Sequence, residues 1–140
     1  MTLFLTGLLA GILDAIAAVL LFMTRGNKDP RLLFRYIASA AYGKDAFTKG
    51  SYMVYRGLLF HFIIAMTWVT IYFILSAHLS WLTSHPLPAA IGYGILVWVL
   101  MNFIIVPASK AAPRPFSYLF ALINILILIA TIGLPAAYLL

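Results

Sequence analysis

The placement of its few charges constrains this chain most. Lys, Arg, Asp and Glu make up 9% of 140 residues. They leave four long apolar stretches, at about 3–23, 52–77, 89–106 and 116–138, interrupted only by Asp14 and Arg56. Each is close to the roughly 20 apolar residues that a helix needs to cross a bilayer. A soluble domain of this length has too little interior for a chain that is 65% hydrophobic. The expected fold is therefore all-α: an integral membrane four-helix bundle, one domain over residues 1–140, with no internal repeat. The first stretch reads as a retained helix rather than a signal peptide. No basic residue precedes it, and Asp14 would break an h-region.

The basic residues give an orientation. Of nine, Arg25, Lys28, Arg31, Arg35, Lys44, Lys49 and Arg56 lie between the first two stretches or in the first turns of the second. Lys110 and Arg114 lie between the third and fourth, and the 80–88 connection has none. By the positive-inside rule the first and third connections face the cytoplasm and both termini face the other side, as in a multi-pass protein of a bacterial inner membrane. So complete a bias argues against dual insertion. The net charge of +6 is accounted for by anionic headgroups, at roughly 1 kcal/mol per membrane-adjacent cation. Arg31, Arg35, Lys44, Lys49 and Arg56 are the expected headgroup contacts. No basic–aromatic face points to nucleic acid.

The connection from Arg25 to Gly50 is too long for a bare turn. Asp29 and Pro30 form a helix start and Gly43 a stop, which predicts a helix over about 30–43. Leu33, Tyr36, Ile37, Ala40 and Ala41 fall on one face; Arg31, Arg35 and Ser39 line another. This reads as an additional cytoplasmic interfacial amphipathic helix, either a cover for the bundle or a docking surface. Tyr52, Tyr55, Trp81 and Tyr138 sit at span ends as interfacial anchors.

Asp14 carries the strongest chemical signal. It lies about eleven residues from Arg25, near the middle of its span. A carboxylate there costs roughly 2.5–3.5 kcal/mol on insertion scales and must face the bundle interior or a wet cavity. Gly7, Gly11, Asp14 and Ala18 share one small-residue face along which a second helix can approach. His61 lies roughly 7–8 Å inside the boundary set by Arg56, and Asn102 sits at a similar depth. Asn124 and Thr67 fall nearer the level of Asp14. Asp14, His61, Asn102, Asn124 and Thr67 therefore form a candidate intramembrane polar site, either a cavity open to the cytoplasm or a hydrogen-bonded layer holding the bundle together. By helical rise Asp14 and His61 are about 8 Å apart in depth, which favours a water-linked path over direct contact.

The chain has no cysteine, which excludes disulfides and thiolate metal sites. It has no glutamate, no nucleophile elbow, no His-Glu-x-x-His and no phosphate loop. No catalytic residue, metal site or cofactor is expected, and an enzyme is the least favoured class.

Several segments occur in a telling order: Gly11-Ile12-Leu13-Asp14; Tyr36-Ile37-Ala38-Ser39 with Gly43 and Ala46-Phe47; Gly57-Leu58-Leu59-Phe60-His61-Phe62; Tyr93-Gly94; Met101-Asn102 and Pro107; and Gly133-Leu134-Pro135. The pattern resembles a family of small four-span bacterial inner-membrane proteins of unknown function. The resemblance covers nearly the whole chain and implies a fold but no activity. Members often carry a His five residues before the glycine of the last motif; Leu128 stands there, which weakens any two-histidine mechanism. Four-span multidrug exporters also carry a carboxylate in their first helix, but their surrounding pattern is not matched. Two functional expectations follow. The first is an accessory or assembly component, working in a homo-oligomer or a larger membrane complex. The alternative is a small proton-coupled or ion-conducting transporter using Asp14.

Overall fold

Apolar side chains offer no hydrogen-bond partners to the backbone polar groups of their own stretch, and a helix satisfies those groups within the stretch. The computed structural model describes residues 2–26, 28–112 and 117–140 and shows no strand among them. Four helices are long and apolar enough to cross a membrane. They are α1 (Thr2–Thr24), α4 (Tyr52–His78), α6 (Pro86–Ala108) and α7 (Tyr118–Leu139). Shorter helices fill the connections: α2 (Arg31–Tyr42), α3 (Asp45–Thr48) and α5 (Ser80–Ser84). The third span starts at Pro86, earlier than expected, because the first helical turn tolerates both Pro86 and Pro88. Phe116, the expected start of the fourth span, and Arg114 lie outside the described residues.

The small-residue face of α1 is where α4 packs. A side chain at Gly7 would collide with Met66, and one at Gly11 with Phe62. These contacts run antiparallel. α7 lies against α1 and α6 against α7. The α6–α7 contact is closest at Gly94, against the backbone of Ile129, and at Gly133, against the carbonyl of Ala90. The ring closes through side chains: Tyr93 of α6 stacks edge-on to Tyr72 of α4 at 5.0 Å, and its hydroxyl donates to the Trp68 carbonyl. Trp68, Val69, Tyr72, Tyr93, Val97, Leu128 and Ile132 form the core.

α6 ends at Ala108, one residue past Pro107, while α7 runs on through Pro135 to Leu139, so both helices contain their proline. Each proline lacks the N–H that would continue the ladder, and its ring crowds the carbonyl four residues back. Both helices answer with one wide π turn, Met101–Ile105 and Ile129–Gly133. The Val106 N–H reaches back five residues to Met101, and the Leu134 N–H does the same to Ile129. Each bond closes a wide turn immediately before its proline.

The connection helix forms where the sequence places it, but it packs differently. Asp29 Oδ1 accepts the Arg31 N–H at 3.0 Å, and Gly43, at φ +62°, ends the helix by donating to Ser39 O at 2.8 Å. Its buried residues are Leu33, Ala38 and Ser39, while Ala40 and Ala41 are exposed. Ser39 therefore leaves the polar face expected for it. The cause is Gly57 on α4: it lets the helix approach so closely that the Phe34 backbone carbonyl occupies the place of a Cβ.

Gly57→Val should therefore displace α2 from α4 and destabilise the fold by about 1–3 kcal/mol. Gly92→Ala, which meets nothing within 4 Å, is the control. Thermal unfolding in detergent checks this; a Gly57→Val protein that melts with the wild type would show that α2 does not rest on α4.

Candidate functional site

The site begins with a backbone carbonyl of α1. His61 of α4 lies against α1, and its Nε2 is 3.0 Å from Gly11 O. A carbonyl only accepts, so Nε2 carries a hydrogen and donates it. One helical turn further along α1, Asp14 Oδ2 lies 3.7 Å from the same Nε2. The side chains are 11% exposed at His61 and 16% at Asp14. The second carboxylate oxygen, Oδ1, accepts from Thr131 Oγ1 at 3.1 Å. Thr131 belongs to the wide turn before Pro135 and also lies 2.8 Å from Ile127 O of its own helix. A hydroxyl has one proton, so it serves Asp14 or Ile127 O at full strength, not both.

The direct Asp14–His61 meeting corrects the separation of about 8 Å expected from helical rise. That expectation set Arg25 and Arg56 at one level. The Gly7–Met66 and Gly11–Phe62 contacts instead put Arg56 about level with Ala17, two turns short of Arg25. Side chains on a helix also lean toward its N-terminus. On antiparallel helices Asp14 and His61 therefore lean toward each other.

The pair opens onto a cavity of about 180 Å³. Ala65, Trp68, Val97, Met101, Leu128 and Ile132 make its apolar walls, and Tyr36, Ile37 and Ala40 of α2 cover it. Two bonds hold the cover in place. Tyr36 Oη donates to Ala112 O at 2.9 Å, and the Lys110 N–H donates to Ala40 O at 3.1 Å. Of the two roles open to this helix, cover of the bundle or docking surface, these contacts are those of a cover.

The other expected site residues do not join the pair. Thr67 is exposed on the outer face of α4 and donates to Ile63 O at 2.7 Å. Asn102 donates through Nδ2 to Trp98 O at 2.9 Å. With Asn124 it lines a second cavity, of about 460 Å³, between the basic ends of α1, α6 and α7. Tyr36, Val106 and Ala111 border both cavities and divide them. The single polar path expected through Asp14, His61, Asn102 and Asn124 is therefore two sites.

Of the cations expected to touch headgroups, Lys44, Lys49 and Arg56 are exposed. The Arg56 guanidinium stacks over Tyr42 and Tyr52 at 5.1 and 4.7 Å. Arg31 pairs with Asp29 at 3.0 Å, and this pairing holds the Asp29 carboxyl below the usual carboxylate range. Arg35 is committed within the chain. Its guanidinium donates to Ala46 O at 3.0 Å and to Lys49 O at 2.8 Å, pinning α3 to α2.

Among the described residues no third carboxylate or imidazole joins Asp14 and His61. An ion bound there would need the Thr131 hydroxyl and carbonyl oxygens to complete its shell. Sequence reasoning missed Thr131 as a partner of Asp14. Its one signal was its position four residues before Pro135, where the helical ladder had to open.

Comparison with protein-family models, with curated proteins and with solved structures finds no match to this chain.

Thr131→Val should remove the hydroxyl from Asp14 and destabilise the bundle by about 1 kcal/mol. Thr67→Val, on the outer face, should stay within about 0.5 kcal/mol of wild type. Denaturant or thermal unfolding in mixed micelles measures both, and equal effects would mean that the Asp14–Thr131 bond contributes nothing.

Proposed function

We propose that this chain is a multi-pass protein of a bacterial inner membrane and acts as a small proton-coupled transporter. One observation carries the transport reading: a carboxylate and an imidazole, 3.7 Å apart, at the wall of an interior cavity. Asp14 is the group that takes up and releases the proton, and His61 positions it. When Asp14 is ionised, Thr131 donates to it. When Asp14 is protonated, its own O–H donates to Thr131 Oγ1 and the threonine proton turns to Ile127 O. The proton state of Asp14 is thereby passed to the hydrogen bonding of the α7 wide turn. Asn102 and Asn124 stand apart from this step.

The membrane reading draws on the four apolar helices, and the orientation draws on the charges. Among the described residues, every Lys and Arg lies at or near the end that carries α2, which supports a cytoplasmic location for that end, with both termini opposite. The motif order aligns the chain with the small four-span family of unknown function. Exposed Lys44, Lys49 and Arg56 suit an anionic leaflet, and α2 would lie at its surface. No enzymatic step is part of the proposal.

A second reading, an accessory component of a homo-oligomer or larger complex, draws on α2. That helix is fastened to the bundle yet leaves Arg31, Leu32, Ala41 and Tyr42 exposed. It becomes a docking surface in that case, and Asp14 a structural lock.

Reconstituted vesicles with an internal pH dye separate the readings. Transport requires a proton flux that Asp14→Asn reduces by about tenfold or more, in a protein that still inserts and melts normally. Folded wild-type protein without flux would overturn it in favour of the accessory reading. Orientation has its own check, made clean by the cysteine-free sequence. In intact cells an impermeant thiol reagent should label Ser84→Cys and spare Thr48→Cys; the reverse pattern would invert the topology.

A further inference from the structure

The second cavity has a different chemistry from the first. None of the chain's three aspartates lines it, and Arg25 does. Arg25 is exposed, and its guanidinium lies 4.3 Å from the centre of the Phe120 ring, a cation–π contact that favours its place at the cavity wall. Asn102 and Asn124 face the same space. One Nδ2 hydrogen of Asn102 is taken by Trp98 O, so the amide keeps a second for a ligand. A planar cation with amide donors beside it matches the oxygens of a phosphate group. At about 460 Å³ the cavity also has the size of an ordinary ligand site.

The surroundings decide what carries the phosphate. Phe103 and Ile104 on α6 are 60% and 57% exposed, and Leu119 and Leu122 on α7 are 63% and 56% exposed. Apolar outer surface therefore flanks the mouth on both helices. A free phosphate has no use for it, whereas acyl chains would cover it. We infer that the cavity between α1, α6 and α7 is a specific site for an anionic phospholipid, with Arg25, Asn102 and Asn124 on the headgroup phosphate and the acyl chains along α6 and α7. The inference rests on the membrane reading and is independent of proton coupling. It also differs from bulk attraction of the leaflet to exposed Lys44, Lys49 and Arg56, because it needs one guanidinium and two amides.

The test is native mass spectrometry of the full chain released from phosphatidylcholine nanodiscs containing a minority of phosphatidylglycerol. Wild type should retain one phosphatidylglycerol. Arg25→Gln should weaken retention by about tenfold or more, and Arg25→Lys, which keeps the charge but loses the fork, by less. Asn124→Leu leaves every charge in place and should still weaken it severalfold, so the inference stays testable if an Arg25 variant misfolds. Lys44→Gln should change nothing. An equal loss in Lys44→Gln and Arg25→Gln would overturn the site in favour of diffuse surface charge. Displacement of the lipid by millimolar inorganic phosphate would overturn the lipid assignment in favour of a soluble anion.

Discussion

A carboxylate set in the middle of an apolar helix has to be met by polar groups from its neighbours, and the rest of this bundle is arranged around that demand. Asp14 is met from two sides, by His61 on α4 and Thr131 on α7. Each approach needs a local device. On α1, Gly7 and Gly11 bring α4 close, with Met66 and Phe62 in the space of the missing side chains, and His61 of α4 then bonds the Gly11 carbonyl as well as facing the carboxylate. On α7, Pro135 widens the preceding turn, and Thr131 sits in it. The polar contacts thus fix which faces of α1, α4 and α7 converge.

Close backbone approach is the second organising feature. α1–α4, α2–α4 and α6–α7 each touch at glycine, and a Cβ at Gly57, Gly94 or Gly133 would meet the backbone of the opposing helix. Two cavities lie between these contacts, one reaching the mid-span residues Asp14, Trp68 and Leu128 and one beside Arg25. Tyr36 borders both, so the same α2 residue roofs the apolar space over Asp14 and walls the basic space beside Arg25.

Much of this was legible in the sequence. Apolar length marked the four long helices to within a few residues, the Gly7–Gly11 face marked where α4 packs, and Asp29, Pro30 and Gly43 bounded α2. The relative depth of the helices was not legible. Using Arg56 as a boundary marker misplaced His61, because the offset between α1 and α4 is set by which side chains fit against Gly7 and Gly11. Nor were helix faces legible from depth alone. Thr67 looked equivalent to Asp14 in level, yet it points outward and satisfies its hydroxyl on its own helix, as a threonine in an apolar helix readily does. Thr131 has that same local bond and reaches Asp14 as well; only the packing of α7 on α1 distinguishes the two.

Ring-nitrogen NMR of His61 in bilayers tests the central claim most directly. The Nε2–H donated to Gly11 and the neighbouring Asp14 carboxylate predict a protonated Nε2 whose shift moves on Asp14→Asn, while those of exposed His78 and His85 stay put. A His61 signal indifferent to Asp14→Asn, or an unprotonated Nε2, would contradict the pairing on which the site is built.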